Sequence, residues 1–193
     1  MKKLLLINVS ANSGSTGRIA EEIGQAAISR GYGSYFGYGR IGRESKSSLI
    51  RIGNDWDVRW HGLESLLFDN QGFGSRMATK RFISEIGRIQ PDVINLHNVH
   101  GYYLNVKILF EYLAKTDIPV VWTLHDCWPF TGHCSHYMRL NCDLWKSGCH
   151  SLPKHLCRLC LIVQELIMLA RRSCLINPRI SLLWPYANGW RIM

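Results

Sequence analysis

Two histidine-bearing loops hold most of the side chains in this sequence that could do chemistry. His97, Asn98 and His100 follow the apolar run DVINL, and His125 with Asp126 follows IPVVWTL. Histidine exchanges a proton near neutral pH, and a carboxylate beside it can orient the ring or compensate its charge. Successive residues of an extended chain point to opposite sides, so adjacency alone does not bring Asp126 onto His125. Each histidine could equally make a structural hydrogen bond within its loop. Trp128, Pro129 and Phe130 add an apolar component whose ring faces suit a carbohydrate or a nucleotide base, whereas Trp122 lies inside its run and reads as core.

A third loop, SANSGSTGRIA, offers Gly14 and Gly17 for a tight turn and Ser13, Ser15 and Thr16 as hydroxyl donors ahead of a helix. Unpaired N–H groups at a helix start stabilise a phosphate or a sugar oxygen. The same residues could merely cap the helix. The loop has neither the lysine of a Walker A sequence nor the G-x-G-x-x-G order of a dinucleotide fingerprint, and a flavin-mononucleotide loop of the flavodoxin kind competes with both.

Cys134, Cys142 and Cys149, with His133, His136 and His150 close by, could supply three thiolates and an imidazole to a tetrahedral zinc ion. Buried thiols and disulfide or redox chemistry remain open alternatives. Cys157 and Cys160 add a C-x-x-C spacing further on.

The elements that must position these loops follow from periodicity. Residues 3–9 read as a strand, 16–31 as a helix closed by Gly31, 33–39 as a second strand, and 75–89 as a helix closed by Pro91. Residues 40–62 are polar and glycine-broken and read as a long connection. Strand 92–97, helix 105–115 and strand 118–124 complete the alternation, which predicts a parallel sheet covered on both faces. Such sheets bind ligands beyond their strand C-termini, where loops 10–17, 97–103 and 125–134 fall. After Leu161 there is one acid against four arginines, and the αβ layout is not expected to continue.

The chain of 193 residues, 47% apolar, is long enough for one domain with a sizeable core. Its charge of +9 favours anionic partners, but no run of five basic residues marks a nucleic-acid tract. The apolar start ends at Asn8, too early for a signal peptide, and the longest apolar-rich stretch is broken by Gln164 and Glu165. All seven cysteines lie after residue 126, which fits a cytoplasmic protein.

Taken together, NSGSTGRIA, DVINLHNVHGYY and above all TLHDCWPFTGHCSHYMRLNCDLWKSGC resemble the N-terminal half of bacterial family-four glycosyltransferases of capsular, exopolysaccharide and colanic-acid biosynthesis. The resemblance covers residues 1 to about 150. It implies a Rossmann-like α/β domain, the N-terminal half of a two-domain GT-B fold, with a cysteine-containing insert at 127–150 and an atypical tail at 151–193. It further implies transfer of a sugar, with retention, from a nucleotide-sugar donor to a glycan or lipid-linked acceptor, needing no catalytic cofactor. In that reading Gly14, Ser15, Thr16 and Gly17 lie near the interdomain cleft, Asn98 and His100 on the acceptor side, and His125 with Asp126 near the transfer centre. Any zinc on Cys134, Cys142 and Cys149 would be structural, although HSLP after Cys149 departs from the family's usual cysteine and proline. No second αβ series follows residue 160, so the donor domain is expected to be missing and the chain inactive alone. Cytoplasmic placement at the inner face of the membrane, and no specific nucleic acid, complete the expectation. A flavodoxin-like flavin-binding protein and a noncatalytic interaction module are the alternatives.

Overall fold

The computed structural model describes residues 1–68, 72–131, 180–186 and 189–192. In chain order the elements are β1 (Lys3–Ala11), α1 (Gly14–Ser29), β2 (Gly33–Gly42), β3 (Ser48–Arg51), α2 (Asp55–Phe68), α3 (Arg76–Ile89), β4 (Val93–Leu96), α4 (Val106–Leu113), β5 (Val120–Thr123), α5 (Trp128–Thr131), β6 (Ile180–Tyr186) and β7 (Gly189–Ile192). They form one sheet in the order β3-β2-β1-β4-β5-β6-β7, parallel throughout except that β7 runs antiparallel to β6.

Strand β1 is apolar along most of its length because both of its faces are covered. Leu4 and Leu6 pack on one side with Ala20 of α1 and Phe36 of β2. Leu5 and Ile7 pack on the other with Phe82 and Ile86 of α3 and Leu109 and Leu113 of α4. Each of these leucine, isoleucine and phenylalanine side chains, once buried, contributes about 1.5–3 kcal/mol. Helix α1 lies close against its strand: a Cβ on Gly17 would come within 2.8 Å of the Ser10 carbonyl oxygen. Asn105 starts α4 by accepting a hydrogen bond from the Ile108 amide at 3.0 Å, and its own amide donates to Thr79 Oγ1 at 2.6 Å, joining α4 to α3.

The chain leaves β1 toward β2 and β3 on one side and later returns to β4, β5 and β6 on the other. The order therefore reverses between β1 and β4, the place where open sheets of this kind take ligands beyond their strand C-termini. The three strands that precede the chemistry-bearing loops, β1, β4 and β5, are neighbours.

Two expectations are corrected here. Residues 40–62 are not a connection, since they contain the end of β2, the whole of β3 and the first half of α2. The polar sequence reflects edge position: β3 is mostly exposed and α2 buries little. The tail does rejoin the layout, because β6 pairs with β5 from Val120↔Ile180 to Thr123↔Leu183 and β7 folds back on β6. Among the described residues no helix is long and apolar enough to cross a membrane.

Candidate functional site

Asn8, fully buried, joins the first two loops. Its Nδ2 donates to the Ser10 carbonyl at 2.7 Å and to Thr16 Oγ1 at 3.3 Å, and its Oδ1 accepts from the Asn98 amide at 3.1 Å. The Ser13 side chain, at the N-cap of α1, makes no capping hydrogen bond, and the first helical turn holds no acid. The bland capping role is therefore unfilled, and the helix start keeps its donors. Gly14 has φ +68, a conformation that suits glycine, and a Cβ there would meet nothing within 4 Å. Ser15 is exposed, Thr16 half-buried and Gly17 buried against β1. Arg43 joins this edge by donating its amide to the Ala11 carbonyl at 3.1 Å.

The second and third loops meet through four rings. His97 is buried, with Nε2 3.1 Å from Asn95 Oδ1 and Nδ1 2.8 Å from His125 Nε2. Asn95 Nδ2 donates to the Val121 carbonyl at 2.9 Å and to Thr123 Oγ1 at 3.0 Å, which fixes its Oδ1 as the acceptor facing His97. His97 must then carry its hydrogen on Nε2 and accept on Nδ1, so His125 carries one on Nε2. Burial, helped by the charge His125 can carry, lowers the His97 pKa to about 3. Burial also lowers that of His125, against the opposing pull of the Asp126 carboxylate. The two rings stack at 5.1 Å and 15°.

Asp126 reaches the other histidine. Its Oδ2 lies 2.8 Å from His100 Nε2, and its Oδ1 accepts from the Trp128 amide at 3.0 Å at the start of α5. The His100 ring lies 5.0 Å from the buried Trp128 ring, whose Nε1 has no partner among the described residues. His100 and His125 thus each commit Nε2 inside the protein, and neither Nδ1 has a hydrogen-bond partner among the described residues. Burial, with a smaller contribution from Asp126, pushes the Cys127 thiol up. Trp122 is core, donating to the His97 carbonyl at 3.0 Å and packing on Phe110.

Of the residues expected from the sequence, the structure brings His125, Asp126, Asn98 and His100 to adjoining loops, and Gly14, Ser15, Thr16 and Gly17 to the α1 start beside them. Asn8, Asn95 and the pairing of His97 with His125 were not foreseen. Their signal was present as asparagines inside apolar runs, which must find partners when buried. Asn8→Ala is expected to lower stability by about 2 kcal/mol, because the Asn98 amide and Ser10 carbonyl would lose their buried partner. A urea midpoint equal to that of the unaltered chain would refute this.

Cys134, Cys142 and Cys149, with their neighbouring histidines, lie outside the described residues. Among the described residues no group of three or more His, Cys, Asp or Glu side chains is placed to hold a metal. The structural zinc expectation thus falls on residues outside those the structure describes.

No family model matches the chain. A relative in Escherichia coli (strain K12), by name a colanic acid biosynthesis glycosyl transferase, WcaC, is 31% identical over 162 residues, which is 78% of this chain. The chain spans 39% of that relative's length. Among solved structures it is similar to the C-terminal domain of the coenzyme A biosynthesis bifunctional protein CoaBC, with a TM-score of 0.39 and 11% identity over 92% of this chain and 96% of that one. A likeness at that score carries no assignment of ligand. These findings correct the resemblance: the sequence match is partial, covering 39% of that relative, and does not carry its activity into this chain. The GT-B half, retaining sugar transfer, a nucleotide-sugar donor, a glycan or lipid-linked acceptor, and chemistry defined as cofactor-free are all withdrawn. What stands is a single, largely parallel sheet with flanking helices, its three chemistry-bearing loops following the neighbouring strands β1, β4 and β5.

Proposed function

We propose that this is a binding domain for a small phosphorylated ligand of the nucleotide class, flavin mononucleotide among them, held between the β1 and β4 loops. The start of α1 carries the reading: among the described residues no side chain caps it, its first turn holds no acid, and the basic edge at Arg40 and Arg43 adds attraction for an anion. Asn98, His100 and His125 would serve the remainder of the ligand, the histidines through Nδ1. Cysteine usage, with none before Cys127, supports a cytoplasmic setting.

The test is titration of the full chain with inorganic phosphate, a nucleoside monophosphate and flavin mononucleotide, read by calorimetry. A Kd of about 10 µM for one of the two larger ligands, and far weaker binding of phosphate, is expected. Ser15→Asp separates binding from folding. A carboxylate in the first turn favours the helix by about 0.5 kcal/mol but repels a bound phosphate, so the melting temperature should hold or rise while affinity falls about tenfold. Unchanged affinity in that variant, or no ligand bound below about 1 mM, would sink the proposal.

A further inference from the structure

Helix α2 turns its apolar side outward. Trp56 is 75% exposed, Trp60 63%, Leu63 44% and Leu67 63%, whereas His61 on the opposite side is fully buried. These four exposed residues are spaced four, three and four apart, the repeat of a helix seam that faces another helix. A helix of 14 residues presents this seam over about 21 Å. Contiguous apolar surface of this kind marks an interaction site.

The charges along the seam choose the occupant. With Trp60 and Leu67 at the a positions and Trp56 and Leu63 at d, Arg59 falls at g and Glu64 at e. In a parallel pair of helices the g residue of one faces the e residue five places further along the other. Arg59 and Glu64 are five apart, so two copies of α2 offer each other two opposite-charge contacts. An anionic bilayer is the poorer match, because Asp55, Asp57 and Glu64 outnumber Arg59 on this helix and would be repelled. Within one chain Arg59 lies 5.3 Å from the Trp56 ring and Glu64 Oε1 accepts from Trp60 Nε1 at 3.0 Å, so both charges already border the seam.

We infer that α2 is a self-association surface, where two copies of this chain meet in parallel along Trp56, Trp60, Leu63 and Leu67. The inference does not rest on the ligand proposed above.

Sedimentation of the full chain tests it. The unaltered protein is expected to be mainly dimeric at about 100 µM, corresponding to a Kd of about 10 µM or tighter. Leu63→Glu and Leu67→Glu should each give a monomer with an unchanged circular dichroism spectrum, because both positions are exposed in one chain. Arg59→Glu and Glu64→Arg should each weaken the dimer about tenfold by opposing like charges, two contacts at once. Mixing those two variant chains should restore association, because every contact in the mixed pair is again of opposite sign. That rescue reports on the register even where one seam variant fails to fold. A monomeric unaltered chain, dimers insensitive to both leucine variants, or a mixture no tighter than its components would overturn the inference. Binding of a monomeric unaltered chain to phosphatidylglycerol vesicles would overturn it in favour of a bilayer.

Discussion

Replacing Gly39 by alanine is expected to cost about 3 kcal/mol or more of folding stability, a large part of what a domain of this size has to lose. A Cβ at Gly39 would lie 2.1 Å from both Cβ and Cγ of Tyr103. Those atoms are the root of the side chain, so no rotamer change removes the overlap. The Tyr103 ring is fully buried, and its hydroxyl donates to the Asn98 carbonyl at 2.9 Å, which holds it from the far end. Gly39 belongs to β2 and is held by the sheet. Strand or loop must move. Urea denaturation measures the loss, and a Tyr103→Gly background, which removes both Cβ and Cγ, should relieve much of it, giving a non-additive double change. A loss below about 1 kcal/mol in the single variant would show that the loop yields and that the contact is not restrictive.

Acid should destabilise the domain well before its carboxylates titrate. His97 has an ordinary pKa of 6.5 and a folded value of about 3, so below about pH 6.5 the unfolded chain takes up a proton that the folded chain refuses. Stability then rises with pH, and the contribution of His97 is lost as pH falls from its unfolded value toward its folded one. Between about pH 7.5 and about pH 5 the loss from this residue is about 2 kcal/mol, which is 1.36 kcal/mol per unit over the last one and a half units. Lowered by the same burial, His125 adds a loss of the same sign. Glu21 acts in a more acidic window. Burial alone would raise its pKa, but hydrogen bonds from Ser45, Gln25 and the Lys46 amide, with the Lys46 charge, bring it below 4.5. Its contribution is present above that unfolded value and is lost as pH falls toward its lower folded one. Denaturation of the unaltered chain and of His97→Gln at both pH values isolates the histidine. Equal pH slopes for the two would refute the assignment.

How much of this could be read from the sequence depended on burial. Strands β1, β4 and β5 and helices α1, α3 and α4 follow from periodicity because each buries an apolar face against the same sheet. Helix α2 carries an equally regular series, from Trp56 to Leu67, but that face is outward. The surrounding glycines and charges made the region read as a connection. The β6 and β7 strands escaped because edge pairing is settled by backbone partners at long separation, which a local pattern does not report. At the site, residue types and loop positions were legible, while partners were not. Adjacency suggested Asp126 with His125, but the carboxylate contacts His100, 26 residues away, and His125 turns to His97, 28 away. The long tryptophan, histidine and cysteine motif suggested a family, but a sequence match over 39% of one relative does not carry that relative's chemistry into this chain.

The Asn8 side chain ties together the loops that follow β1 and β4. By holding Ser10 and Thr16 from one wall and Asn98 from the other, a single buried amide joins both sides at their base. Such walls cannot swing apart separately while that residue stays bonded. A ligand of the kind proposed would therefore meet surfaces whose order was set during folding, and its association would be governed by desolvation and by its own loss of freedom. Selection under that proposal would be by fit to a spacing already set, and a ligand too broad for it would be refused at entry.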